Sequence, residues 1–356
     1  MTPNDLFIIW GFVEVSVTFD ERGNIVTNAP YSDSKLKIFS LDANLPLAEK
    51  IAEEVGVELG LIQISQFADG EIKVKVDESI RGAHIYIVQP TSDPVNDHLM
   101  SLMITADAFR RASAKTINLV IPYFGYGRQD RQAAPREPLS AKLVANMFEL
   151  VGADRVLTLD LHTPQMQGFF NVPVDDLQGE PLLANYFIQN GIHGDNVVVV
   201  SPDHSGVSES RRFADFLHAP IAIVDKRSQK YNHQEVVSLI GDVAGKTAIV
   251  IDDMIDTGET VKTAVQELQR QNAKEIYVAV THALLSGSAV DNLKYMDIQK
   301  LVVTDSIQMP EAKKQSLGEK LAIVSVAEVF AEAIVRIHEN RSVSPLFVGN
   351  FEYSNK

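Results

Sequence analysis

Nine short apolar runs, rich in β-branched residues, punctuate the chain from Lys35 onward: 85–88, 117–121, 156–159, 197–200, 221–224, 248–251, 276–280, 301–303 and 322–326. A strand wetted on one face alternates polar and apolar residues. A run that is apolar at nearly every position needs cover on both faces, as in a parallel sheet between layers of helices. The segments between the runs supply that cover. Leu99, Leu102, Met103, Ala106 and Phe109 fall at helical spacing, as do Leu139, Leu143, Met147 and Leu150, and Val261, Val265 and Leu268. Pro138 is expected at a helix start, where its missing N–H costs nothing. The fold class is α/β with mostly parallel sheets.

At 356 residues the chain is long enough for two such domains, and it carries an internal repeat. The stretch from Gly82 to Val88 resembles that from Gly245 to Ile251, an offset of 163; the stretch from Ala114 to Ile121 resembles that from Ala273 to Val280, an offset of 159. Two copies of one α/β domain, meeting near residues 179–181, is the simplest account, although any two βαβ units share some likeness. Ahead of them, residues 13–19 alternate with period two, residues 20–24 read as a turn, and Ile25 and Val26 follow, so a hairpin is expected. The expected division is an extension over 1–34, units over 35–179 and 180–347, and a tail over 348–356.

Charge and cysteine content remove several functions. With 32 basic and 47 acidic residues the net charge is −15. A nucleic-acid binder needs the opposite excess to displace phosphate counterions, so any phosphate must be held by a few placed groups. The absence of cysteine excludes disulfides, thiolate-ligated metals and a thiol nucleophile, and fits a cytoplasmic protein. No run is long enough for a membrane helix. The apolar stretch 6–13 has no preceding Lys or Arg and no small-residue cleavage site after it, so a secretory signal is not expected.

Ligands of open parallel sheets bind at the carboxyl ends of the strands, and the polar clusters lie there. The run 117–121 leads into residues 123–131, which hold Arg128, Gln129 and Arg131; 156–159 leads to Asp160 and His162; 197–200 leads to Ser201, Asp203 and His204. The run 221–224 leads to Asp225, Lys226 and Arg227, and 248–251 to Asp252, Asp253 and a small, hydroxyl-rich loop that opens a helix. Paired carboxylates followed by such a loop suit a ribose phosphate. Asp252 and Asp253 would accept hydrogen bonds from vicinal hydroxyls. The amides of Asp256, Thr257, Gly258, Glu259 and Thr260 would cradle the 5-phosphate at the positive end of the helix. An ordinary strand–turn–helix with a capping side chain is the plain alternative. The matching loop of the first copy, Ser92 to Asn96, has no glycine, so only the second copy is expected to grip this phosphate. Asp160, His162 and Asp203 suit Mg²⁺ beside a polyphosphate, and Arg128, Arg131 and Lys226 are cations available to a triphosphate.

The motifs, in order and spacing, resemble those of the ribose-phosphate pyrophosphokinase (phosphoribosyl pyrophosphate synthetase) family. They are Phe67-Ala68-Asp69-Gly70-Glu71, the segment from Tyr126 to Arg131, Arg136-Glu137-Pro138, the segment from Asp160 to Phe170, Ser201-Pro202-Asp203-His204 and the segment from Asp252 to Gly258; the likeness runs from about Lys35 to Phe347. It implies two phosphoribosyltransferase-type domains, a homo-oligomer, typically hexameric, and transfer of the β,γ-pyrophosphoryl group of ATP to ribose 5-phosphate with Mg²⁺ as cofactor. By the resemblance Phe67 stacks on adenine, and Asp69, Gly70 and Glu71 help read it, in the family from an adjacent subunit. Arg128 and Gln129 then hold the triphosphate, Asp160, His162 and Asp203 lie near the metal, and Lys226 stabilises the transferring group. Ser79, Arg81, Ser342, Ser344 and Phe347 correspond to a regulatory ADP or phosphate site.

Four departures stand out. Ser228 replaces a second catalytic Arg, with Lys230 as a flexible substitute; Glu259 replaces a small neutral residue in the phosphate loop; Asn171 replaces Asp; and Gln132-Ala133-Ala134-Pro135 replaces a more basic stretch. Loss of one preorganised cation at a transition state typically costs about 10²–10³ in rate. Three functions remain open at this level: an active synthetase, a weakly active or inactive paralogue that regulates a synthetase, and a base-using phosphoribosyltransferase.

Overall fold

A computed structural model describes residues 35–228 and 235–347, together with the backbone of three strands near the start of the chain. Those strands, Leu6–Trp10, Val13–Phe19 and Ile25–Thr27, pair antiparallel in one small sheet. The expected hairpin is its second and third strands.

Each apolar run forms a strand, and the strands fall into two sheets. In the first, Leu36–Ser40, His84–Val88, Thr116–Ile121, Arg155–Leu159 and Val174–Leu177 lie side by side in that order, all parallel. In the second, Val197–Ser201, Thr247–Ile255, Glu275–Ala283, Lys300–Thr304 and Leu321–Val324 repeat the same parallel order. Ile221–Ser228 extends that sheet in parallel beyond Val197–Ser201, and Glu235–Ile240 closes the edge antiparallel. The strands joined by the sequence repeat occupy equivalent places. His84–Val88 lies second in its five and Thr247–Ile255 second in the other five; Thr116–Ile121 and Glu275–Ala283 lie third.

The helices show why the two sheets hold together. Glu180–Gln189, which follows the first sheet in sequence, buries Leu183 and Phe187 against Val197, Val199 and Val302 of the second sheet. Ala327–His338, which follows the second sheet, buries Val329, Phe330 and Ile334 against Ile38, Tyr86 and Leu157 of the first, beside the helix Leu45–Val55. Each sheet is therefore covered partly by a helix from the other side of the molecule.

Two elements differ from the sequence expectation. The hairpin Ile62–Gln66/Ile72–Val76 stands outside both sheets; its alternating, half-exposed residues lack the apolar run that marks a buried strand. The helix expected from Pro138 begins at Ser140, and it buries Ala141, Val144, Ala145 and Phe148. Of the stripe read from sequence, Leu143 is 59% and Leu150 75% exposed, and Leu139 is also exposed. Among the described residues, no helix is long and apolar enough to cross a membrane.

Candidate active site

The strand Thr247–Ile255 is buried through Ile251, then carries Asp252 and Asp253 to its carboxyl end. Ile255 returns to the core and fixes where the loop departs. Gly258 stands at the cap of the helix Glu259–Arg270 with φ +79°, a left-handed conformation that side chains other than glycine adopt only under strain. The loop thus turns at once into a helix, with its amides facing a cavity of about 250 Å³. Arg128, His162, Asp203, Ser205, Asp252, Asp253 and residues 256–260 line it.

The charges in this cavity are ordered by contact. Burial, followed by repulsion from Asp253, pushes the Asp252 carboxyl well above the usual carboxylate range. Burial, the largest single influence, raises Asp253, but the hydrogen bond with His162 Nδ1 at 2.7 Å, the nearby His162 and His282 rings and a hydrogen bond with Asp252 together leave the group below its ordinary value. The bond with Asp253 raises the His162 imidazole. The two paired acids are thus set apart: burial and its neighbour disfavour the anion of Asp252, while His162 favours that of Asp253. Across the cavity Arg128, from the first half, pairs with Asp256 at 2.7 Å. Asp203 Oδ1 accepts the amides of Ser205 (2.8 Å) and Gly206 (3.2 Å) and the Ser205 hydroxyl (2.5 Å), which sets the entry to the helix Val207–Leu217.

Asp160 has a different place from the other expected metal ligands. Its carboxylate is half-buried, accepting the Gly179 amide at 3.1–3.2 Å and the Thr281 hydroxyl at 2.5 Å. His282, fully buried and with its pKa lowered by that burial, approaches the Leu159 carbonyl through Nε2 at 3.0 Å and the Ser306 hydroxyl through Nδ1 at 2.9 Å. Asp160 and His282 thus tie the strand Arg155–Leu159 to the strand Glu275–Ala283. Among the described residues, no three His, Asp or Glu side chains converge on one metal position. The set Asp160, His162 and Asp203 is not one cluster, because Asp160 is spent on this inter-sheet link. His162 and Asp203 do share the cavity, and Mg²⁺ that arrives on substrate phosphates needs only one or two protein groups.

The residues expected to read adenine lie elsewhere. Phe67, Asp69, Gly70 and Glu71 form the tip of the hairpin, where the Phe67 amide donates to the Glu71 carbonyl and the Asp69 carboxylate caps the Glu71 amide. Phe67 is 52% exposed, with Lys73 over its ring. None of the four lines the Arg128 cavity. Gln129 is engaged by Ser140 at 2.5 Å, and Arg131 is exposed. Arg81 donates to Ser113, and Ser79 is exposed beside it. Ser342 and Ser344 bond one another near the turn Ser344–Phe347, and Phe347 lines a second cavity between the sheets. The side chains of Lys226 and Ser228, and all of Lys230, lie outside the described residues.

Two departures find local reasons. Asn171 donates from its amide nitrogen and its backbone to Glu149, where an Asp would set two anions together. Glu259 is 61% exposed and accepts from Asn292 at 3.0 Å and Lys262 at 3.5 Å, so its charge is partly turned away from the loop. The stretch 132–135 is folded onto Glu137, which accepts the Ala134 amide. Sequence reasoning missed His282, Thr281 and Glu180, whose partners come from the other half of the chain and leave no local pattern.

Residues 36–152 match the model of the N-terminal domain of ribose phosphate pyrophosphokinase, and residues 230–348 match that of the phosphoribosyl synthetase-associated domain. Over 317 residues the chain is 58% identical to ribose-phosphate pyrophosphokinase 2 of Enterococcus faecalis, covering 89% of this chain and 97% of that protein. The chain belongs to the ribose-phosphate pyrophosphokinase family. Its relatives in the family include the Bacillus subtilis ribose-phosphate pyrophosphokinase, 53% identical over 89% of this chain and 98% of the other. The crystal structure of phosphoribosylpyrophosphate synthetase from Mycobacterium smegmatis superposes with a TM-score of 0.81 at 37% identity, over 86% of this chain and all of that one.

Proposed function

We infer that the protein transfers the β,γ-pyrophosphoryl group of ATP to the 1-hydroxyl of ribose 5-phosphate, giving AMP and 5-phosphoribosyl 1-pyrophosphate. One observation carries this beyond family membership: the Asp252/Asp253 pair opens directly onto a helix N-terminus, with Arg128 facing both across one cavity. Asp253 and Asp252 each meet one of the vicinal ribose hydroxyls. The amides of Asp256, Thr257, Gly258, Glu259 and Thr260 receive the 5-phosphate. Arg128 is handed from Asp256 to the incoming triphosphate. The 1-hydroxyl oxygen then attacks the β-phosphorus, the bond from that phosphorus to the α,β-bridging oxygen breaks, AMP leaves with the electron pair, and the hydroxyl proton passes to solvent. Such transfers need positioning and charge stabilisation rather than covalent help from protein.

Lys226, on the strand Ile221–Ser228, is proposed to meet the charge on the transferring group. Mg²⁺ is proposed to bind with the phosphates of ATP, with Asp203 and His162 as its protein-side partners, where it would neutralise phosphate charge. Phe67, Asp69, Gly70 and Glu71 are proposed to read adenine in a neighbouring subunit, because their hairpin tip stands apart from the cavity of its own chain. A homo-oligomer, hexameric by resemblance, is supported by the exposed stripe Leu139, Leu143 and Leu150. Ser79, Arg81, Ser342, Ser344 and Phe347 remain the proposed regulatory set, the units 35–179 and 180–347 the proposed domains, and the cytoplasm the proposed compartment.

Purified protein with ATP and Mg²⁺ should form AMP only when ribose 5-phosphate is added, and with no nucleobase present. Pyrophosphate release that depends on an added purine or pyrimidine would overturn the assignment.

A further inference from the structure

The loop proposed to receive the 5-phosphate is held from behind. Three successive carbonyls in it face one segment, residues 284–292. The Ile255 carbonyl accepts the amides of Leu284 at 3.0 Å and Leu285 at 3.1 Å, and the Asp256 carbonyl accepts the Ser286 amide at 2.9 Å. The Thr257 carbonyl accepts Asn292 Nδ2 at 3.4 Å. In a planar trans peptide a carbonyl and the N–H that follows it point in opposite directions. Fixing these carbonyls therefore aims the amides of Asp256, Thr257 and Gly258 the other way, toward the cavity that those residues line. Among the described residues, none of the three amides has an acceptor.

The segment behind the loop is itself under constraint. Leu285 adopts φ +51°, a left-handed conformation that is unusual for a bulky residue, and its side chain is buried in the core. A strained residue of this kind persists only where its surroundings over-determine it. One constraint is the Ile255 carbonyl on its amide; another is Lys313. The Lys313 ammonium donates to the Leu285 carbonyl at 3.0 Å and to the Leu284 carbonyl at 3.3 Å. Hydrogen bonds from an ionised donor are roughly twice as strong as neutral ones. Lys313 is half-buried on the helix Glu311–Leu317, and Leu317 of that helix packs in the same core as Leu285. Lys313 does not line the phosphate cavity. It borders a separate cavity of about 600 Å³, shared with Asp256 and Arg128.

Taking the ribose 5-phosphate site as assigned above, we propose that Lys313 is a positioning residue for that substrate. By holding Leu284 and Leu285 it sets the carbonyl of Ile255 and, through Ser286, that of Asp256. The amides beyond them are thereby aimed before the phosphate arrives. Affinity is gained because those amides need not reorganise on binding.

The test is steady-state kinetics of the full-length protein, together with calorimetric binding of ribose 5-phosphate alone. Lys313→Met is expected to raise KM and Kd for ribose 5-phosphate about 10-fold, the size of one charge-assisted hydrogen bond. KM for ATP and kcat should change less than about 2-fold, because only one substrate loses its site. Lys313→Gln keeps a donor without the charge or the reach and should fall between; it serves if circular dichroism shows that Lys313→Met is unfolded. Lys313→Arg should recover most of the affinity, since a guanidinium also donates to carbonyls. Lys314→Met removes the same charge from the same helix, where the lysine pairs with Glu311 at 3.7 Å, and should leave the constants unchanged. An unaltered KM for ribose 5-phosphate in Lys313→Met would overturn the proposal, as would an equal loss in Lys314→Met or no recovery in Lys313→Arg. So would a rise in KM for ATP, which would set Lys313 against nucleotide in the cavity it shares with Arg128. The double variant Asp252→Asn/Asp253→Asn separates the proposal from the site assignment. If that variant still binds ribose 5-phosphate, the assignment fails and the proposal with it. If it does not, and Lys313→Met binds normally, the proposal alone fails.

Discussion

The strands His84–Val88 and Thr247–Ile255 hold the same place in their sheets, yet their ends behave in opposite ways. After the first, the polar groups turn inward. Gln89 is buried and bonded to Asp42 and the Ala43 amide, the Thr91 hydroxyl takes the Gly125 amide, and the Ser92 carbonyl takes His98. The following helix, Val95–Arg111, starts at Pro94, with no amide at its cap to offer a ligand. After the second, Asp252, Asp253 and residues 256–260 turn outward onto a cavity, and Gly258 supplies the left-handed turn. The difference teaches how a duplicated scaffold divides labour. One copy anchors its loop with internal hydrogen bonds, although Ser92 and Asp93 still border a cavity shared with Arg128 and Asp256, and the other carries its carboxylate pair and glycine turn onto the cavity proposed for ribose 5-phosphate. The first half re-enters the chemistry through a different strand end, sending Arg128 across to Asp256.

The largest effect should come from removing that crossing cation. Arg128→Met is expected to lower kcat/KM for AMP formation about 10²–10³-fold, the range for a preorganised transition-state group. A change below 10-fold would mean that the first half contributes little to the chemistry. Next is the shared scaffold. Phe330→Ala, in the helix that covers the first sheet, and Phe187→Ala, in the helix that covers the second, each empty a fully buried site. Each should cost about 3–5 kcal/mol, and each should lower one common transition in calorimetry rather than split it. Separate melting of the halves would break the account of exchanged helices.

Ser228→Arg should raise kcat by roughly 10-fold or more if a guanidinium there reaches the transition state. Unchanged kcat in steady-state assays would show that another group already fills the role. Asp176 gives a smaller, pH-dependent effect. Burial, the largest influence on it, raises its carboxyl to about 6. A carboxyl raised on folding binds its proton more tightly in the native state, so stability falls as pH rises from about 4 through about 6 and then levels off. Asp176→Asn, measured in chelator, should therefore raise Tm at pH 8, by the equivalent of about 1–3 kcal/mol, and change little at pH 4. An equal shift at both pH values would contradict this. The smallest effect is at Glu259, where Glu259→Gln should lower KM for ribose 5-phosphate only about 2–5-fold, the size of one charge at a helix N-terminus.

Much of this division was legible in the amino acids. Apolar runs with no polar alternation gave parallel strands, the repeat gave equivalent positions, and the lack of glycine between Ser92 and Asn96 marked the loop whose helix starts at a proline instead. What stayed hidden was long-range. The helix Ala327–His338 announces an apolar face but not which sheet receives it, and its partner lies nearly three hundred residues earlier. Leu139, Leu143 and Leu150 share a helical stripe with the spacing of a core, yet Ala141, Val144, Ala145 and Phe148 are the residues that face inward. Asp160 has the chemistry of a metal ligand, and only the approach of Thr281 and His282 shows that it joins the sheets. Asn171, an apparent defect, is explained once Glu149 is seen against it.

Calorimetric titration of ribose 5-phosphate into the full-length protein tests the division of labour most directly. The account predicts one ribose 5-phosphate per chain, lost in the double variant Asp252→Asn/Asp253→Asn and retained in Asp93→Asn from the first copy's loop. Two ribose 5-phosphates per chain, or binding that persists in the double variant, would contradict it.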